Sequence, residues 1–150
     1  MSRSSGGAGR GNARRGSRAI GEDERSDARE RTLTILYEAH AKSLTPRQAV
    51  ATHVLHPDDL TMQLLEGVED HAEELDKLIR EHARNWALER MPILDVNILR
   101  IALFELAHRP DVPTAVVIDE AVELAKRFST DDSGKFVNGM LSNMLPLLRG

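Results

Sequence analysis

The chain has 150 residues, with 20 Lys plus Arg against 24 Asp plus Glu, no Cys, and only one Trp, one Tyr and three Phe. The lack of Cys removes disulfide scaffolds, thiolate nucleophiles and every zinc site that needs sulfur. The apolar runs, such as Ile101–Leu103 and Ala115–Ile118, fall far short of the ~20 residues a membrane span needs, and no stretch of signal-peptide length opens the chain, so a soluble cytoplasmic protein is expected.

Charge is unevenly spread along the chain. Residues 1–20 carry Arg3, Arg10, Arg14, Arg15 and Arg18 with no acid, whereas residues 32–150 carry 12 basic and 19 acidic side chains. A segment of Gly, Ser and Arg has little apolar surface to offset its ordering entropy, so residues 1–24 are expected to form a disordered basic arm. Such an arm either attracts phosphate backbones nonspecifically or serves only as a solubilising tail. No internal repeat is present.

From Ser26 the apolar residues take helical spacing. Leu33, Leu36, Tyr37 and Ala41 share a face, with Ser26 or Asp27 as the cap. Thr45, Pro46 and Gln48 have the pattern of a capping box with Pro at the first helical position, which predicts a short helix to about His53. His56, Pro57, Asp58 and Asp59 restart the chain, and the stripe Leu60, Leu64, Val68, Ala72, Leu75, Ile79, Ala83 predicts the longest helix. Trp86, Leu88 and Met91 read as a turn or short helix before Pro92, which divides the protein. Beyond it lie three more stripes: Leu94 to Leu106, Val117 to Phe128, and Phe136 to Met144. Strict alternation never persists. The predicted fold is all-α, with about seven helices in two small three-helix bundles, over about residues 26–86 and 93–148 of a single domain 25–150.

Catalysis has no visible seat. No GxSxG elbow, GxxxxGK loop or GxGxxG loop occurs, and no cofactor is expected. Among the six His, the pairs His53/His56 and His71/His82 lack ligand spacing, the latter lying roughly three turns apart on one helix, so no metal site is expected.

The most unusual local chemistry is the run STDDSGKFVNG at 129–139. Asp131, Asp132 and Ser133 offer acceptors at a helix start, with Lys135 and Phe136 beside them. In one reading Phe136 is core and the acids are caps. In the other the ring stacks an unpaired base while the Lys135 amine meets phosphate. Gly139 within a helix suggests close approach of a neighbouring helix, with Asn138 bonding across the contact.

The runs VNILRIALFEL at 96–106, IDEAVELAKRF at 118–128 and STDDSGKFVNGML at 129–141 closely resemble the transcription antitermination factor NusB family, and ARERTLTILYEA at 28–39 looks like that family's first helix. The resemblance covers about residues 26–148. It implies an all-helical protein that binds the boxA element of ribosomal RNA leader transcripts with the ribosomal protein NusE. In that role it helps RNA polymerase read through terminators and aids assembly of the small ribosomal subunit. Carried over by position, Arg29, Tyr37, Asp132, Lys135 and Phe136 fall on the RNA-contacting surface, and Asp95, Glu105, Glu120 and Phe128 fall in segments facing NusE. Phe128 also fits the buried stripe of its helix, and Glu105 and Glu120 also fit charges paired within a bundle. Family members commonly carry consecutive Arg just before the ARE; here Arg25, Ser26 and Asp27 follow Glu22, Asp23 and Glu24, which weakens local attraction for phosphate. Arg14, Arg15 and Arg18 would replace that charge if the arm folds back.

Two other functions fit parts of the pattern. The same helical domain occurs fused to an RNA cytosine methyltransferase, but that enzyme needs an α/β domain with a Gly-rich cofactor loop and a catalytic Cys, and no Cys occurs here. A helical protein-binding adaptor without strong RNA affinity is the alternative. Self-association into a homodimer is left open.

Overall fold

The computed structural model describes residues 20–83 and 86–149. Seven α-helices and one 3₁₀ turn follow in order: α1 (Ile20–Ala41), α2 (Pro46–Ala51), α3 (Asp59–Asp70), α4 (Ala72–His82), the 3₁₀ turn Leu88–Arg90, α5 (Ile93–His108), α6 (Thr114–Phe128) and α7 (Asp131–Arg149). Among the described residues there is no strand, as the helical spacing predicts.

Helix α5 is the axis of the fold. Its residues from Asp95 to Leu106 are buried on every side, apart from Arg100, because α1, α3, α4, α6 and α7 all pack against it. A helix apolar around its whole circumference belongs inside. The α1, α2 and α3 helices pack together on one side, and α6 and α7 lie against each other on the other. One apolar core runs from Ala28 and Leu33 in α1 through Leu65 and Ile79 to Leu103, Val117, Leu141 and Met144.

The ends of the helices obey local chemistry. Thr45 and Gln48 form the reciprocal capping box expected of them, with Pro46 at the first helical position. Asp58 accepts from the Thr61 amide at the start of α3. Arg149, at the far end of α7, donates to the carbonyls of Glu105, Leu106, Arg109 and Val112. It thus adds donors at the end of α5, where the Glu105 carbonyl also accepts the Arg109 amide and the Arg109 carbonyl the Val112 amide.

The structure corrects three sequence expectations. Helix α1 begins at Ile20, so residues 20–24, expected in the arm, are helical, with Glu22 and Asp23 favoured in the first turn by the helix dipole. The rest of the expected arm, residues 1–19, lies outside the described residues. The long helix expected from Leu60 to Ala83 is instead α3 and α4, broken at His71, where φ is −108° and ψ is 19°. The apolar stripe stays in phase across the break, so periodicity carries no trace of it, and the longest helix among the described residues is α1 with 22 residues. Gly139 is exposed and a Cβ there would meet nothing; the close approaches fall at Gly67, where a Cβ would run into the Phe104 ring, and at Gly134, against Lys126 Cγ.

Candidate nucleic-acid interface

The start of α7 is built from short polar side chains. The Ser133 amide donates to Thr130 Oγ1 at 2.9 Å, and the Gly134 amide to the Thr130 carbonyl, so Thr130 caps the helix. Ser133 is buried, and its hydroxyl donates to Asp95 Oδ2 at 3.0 Å. That bond ties the start of α7 to the first turn of α5. Asp131, Asp132 and Lys135 remain exposed around this anchored turn.

Phe136 is half-buried. Its ring centroid lies 5.7 Å from that of Trp86, tilted by 43°, and Trp86 itself is 49% exposed. The inner edge of Phe136 packs on the core, so the core and surface readings of this ring each describe one side of it. Trp86 was not singled out by the sequence as a site residue. Its place in the junction before Pro92 brings it beside α7 only in the folded chain.

A second exposed aromatic group lies elsewhere. Tyr37 and Phe128, 48% and 38% exposed, line one depression of about 230 Å³ with Leu33, Thr34 and Leu94. Phe128 therefore sits at the rim, outside the buried stripe of its helix, with the Arg127 guanidinium 4.9 Å from its ring centroid. Between α6 and α7, Lys126, Lys135 and Asn138 line a shallow groove together with Asp119 and Glu123.

Arg29 departs most from the surface placement the resemblance implies. It is 2% exposed, and its guanidinium grips Glu105 through Nε at 2.7 Å and Nη2 at 3.0 Å while Nη1 reaches Glu120 Oε1 at 3.2 Å. Burial works against its charge, but the hydrogen bonds and charges of Glu105 and Glu120 prevail and hold its pKa above the ordinary arginine value. Glu105 is equally buried, so both acids are the intra-bundle pairing that the sequence also allows. Asp95 is 3% exposed and occupied with Ser133. Of the nine residues expected at surfaces, Tyr37, Phe128, Asp132 and Lys135 are exposed, Phe136 and Glu120 are intermediate, and Arg29, Asp95 and Glu105 are interior. The two expected sets also interleave: Arg29 joins Glu105 and Glu120, and Tyr37 joins Phe128.

No described helix is long and apolar enough to cross a membrane. Among the described residues, two helix groups around a buried central helix define an all-helical protein. The NusB family model matches residues 26–146, and the chain belongs to the NusB family. The chain is similar to NusB from T. maritima, with 30% identity, a TM-score of 0.73, and coverage of 81% of this chain and 90% of that one. It is also similar to NusB from Aquifex aeolicus, with 26% identity, a TM-score of 0.66, and coverage of 81% and 87%. A structure of the antitermination factors NusB and NusE in complex with double-stranded RNA shares the fold at 24% identity and a TM-score of 0.71, over 86% of this chain and 99% of that one.

Proposed function

We propose that this chain is a non-enzymatic transcription antitermination factor of the cytoplasm. It binds boxA-type single-stranded RNA of ribosomal RNA leader transcripts together with NusE and so promotes read-through by RNA polymerase. The observation that carries the reading is the Trp86–Phe136 pair beside Lys135 at an anchored helix start. An aromatic platform with an adjacent cation suits an unpaired base and its phosphate. Family membership and the STDDSGKFVNG run support the same reading.

In this proposal Phe136, Lys135, Asp132 and Tyr37 meet RNA, and Phe128 with the exposed edge of Glu120 faces NusE. Arg29, Asp95 and Glu105 act from the interior by holding α1, α5, α6 and α7 in place. Among the described residues few cations flank the site, so RNA binding by the chain alone is weak and NusE tightens it.

Titrating a fluorescent boxA-like RNA with the full chain, with and without NusE and across a salt series, tests this. Each phosphate neutralised on a single strand adds about −0.7 to the slope of log K against log salt, so a few contacts give a slope of about −2 to −3. Affinity independent of both salt and NusE overturns the proposal. Normal NusE binding with no RNA affinity in either arm would favour a protein-binding adaptor.

A further inference from the structure

We propose that His71, Glu74 and His108 form a zinc-binding site that clasps the α3–α4 break to the end of α5. Their ligand atoms all lie within 4.8 Å of one another. His71 Nδ1 is 3.1 Å from Glu74 Oε1, and His108 Nε2 is 3.2 Å from both carboxylate oxygens. The two imidazoles stack with centroids 3.9 Å apart and planes 24° from parallel, and each sets one ring nitrogen against the Glu74 carboxylate.

These spacings suit a metal. Zinc held at about 2.0–2.2 Å by nitrogen and oxygen ligands sets tetrahedral ligand atoms about 3.3–3.5 Å apart, close to the 3.1 and 3.2 Å found here. To admit the ion, the stacked rings, 24° from parallel, would turn so that each nitrogen lone pair, which lies in its ring plane, meets the metal. Two nitrogens and one oxygen are a zinc donor set that leaves the fourth position for water. Magnesium and calcium, which prefer all-oxygen shells, are poorly matched. Each neutral imidazole would offer its facing nitrogen unprotonated and keep its proton on the other.

The surroundings hold the ligands in place. Phe104 lies against both rings, its centroid 5.7 Å from that of His71 and 5.6 Å from that of His108. Gly67 leaves the space that the Phe104 ring occupies. The break at His71 turns its ring toward α5, one turn away from Glu74 at the start of α4. His82, whose spacing from His71 lacks a ligand pattern, directs Nδ1 at the Leu78 carbonyl instead.

The test uses the full, untagged chain stripped with a chelator, titrated with zinc chloride and, separately, magnesium chloride. One equivalent of zinc should bind and raise Tm, and magnesium should do neither. His71→Ala and His108→Ala should each weaken zinc binding by more than about tenfold, and His108→Cys, which supplies a thiolate ligand, should restore it. The surface variants His53→Ala and His56→Ala should bind as the parent does. Cobalt in place of zinc should give the visible absorption of a tetrahedral nitrogen and oxygen site in the parent, which reads the site even if a variant folds poorly. Failure of the parent to bind zinc, or full binding by the His71→Ala/His108→Ala double variant, overturns the assignment.

Discussion

The Arg29 guanidinium and the Glu105 carboxylate face each other as parallel forks inside the protein, with Nε on Oε1 at 2.7 Å and Nη2 on Oε2 at 3.0 Å. They join α1 to α5 across 76 positions of sequence, and Glu120 adds α6 to the pair. Removing one partner of a buried pair leaves an uncompensated charge, a loss of about 3–5 kcal/mol. Arg29→Ala should therefore lower unfolding free energy by that order in urea melts. Arg29→Met combined with Glu105→Leu should recover most of it, since apolar replacements of similar volume often match a buried ion pair. A single variant within a few tenths of a kcal/mol of the parent would show that the pair does not lock the helices.

Ser133 carries the start of α7 to α5 through its bond to Asp95, whose Oδ1 has no hydrogen-bond partner. Ser133→Ala should leave the buried Asp95 carboxylate without a donor and cost about 1–3 kcal/mol. RNA affinity should fall along with stability, because Lys135 and Phe136 ride on the turn that loosens. Ser133→Thr, which keeps the hydroxyl, should recover part of both if the added methyl fits. Unchanged RNA binding in a destabilised Ser133→Ala protein would separate the turn from the site.

Periodicity and punctuation made the helices legible, because core positions recur every three or four residues and Thr45, Pro46 and Asp58 announce starts. The break at His71 was not legible, since a change of helix direction leaves the stripe in phase. Nor was the fate of Arg29, although the sequence allows Glu105 as a charge paired within a bundle. A charged residue in an apolar stripe looks the same whether it caps a surface or meets an opposite charge from another helix. Trp86 and His108 were missed for a related reason, since each gains its partner, Phe136 or His71, only through long-range packing. Local signals fix elements; pairings between distant elements need the fold.

Acid should weaken the start of α3. Burial raises the Asp58 pKa, but its bonds to Thr61 and its pairing with Arg31 outweigh that and hold the carboxyl below its ordinary value of 3.8. A carboxyl with a depressed folded pKa contributes stability above its unfolded value, and that contribution is lost as pH falls through the folded value. At neutral pH Asp58→Ala should cost about 0.5–2 kcal/mol as a lost N-cap. The gap between variant and parent should narrow below about pH 3.8 as the parent protonates. A gap that stays constant down to pH 2 would mean that the ionised carboxylate is not what caps the helix.

Ser43, just past α1, holds a φ of 56°. Its neighbours bond back to the end of the helix, with the Leu44 amide on the Ala39 carbonyl at 2.8 Å, so the left-handed turn is part of the helix stop. Glycine adopts this region without the penalty that a Cβ brings. Ser43→Gly should stabilise the protein by about 0.5–1 kcal/mol net of the entropy of the unfolded chain, raising Tm by about 1–4 °C. A fall in Tm would mean that the serine contributes more than its backbone conformation.

Phe136 divides its ring between the core and Trp86, and that division sets the outcome of Phe136→Ala. Truncating a fully buried Phe costs about 3–5 kcal/mol, so a half-buried one should cost less, about 1–3 kcal/mol. If its outer face also carries a base, RNA binding should weaken by about 1–3 kcal/mol, the worth of one stacked base. Phe136→Leu sharpens the comparison, since it keeps apolar bulk toward the core but offers no aromatic face. It should retain most of the stability while losing most of the RNA affinity. Trp86 is the only Trp in the chain and lies against Phe136, so its fluorescence should change on RNA binding to the parent. A Phe136→Leu protein that binds RNA as tightly as the parent, with unchanged Trp86 fluorescence in both, would place the stacking platform elsewhere, with Tyr37 the next aromatic to replace.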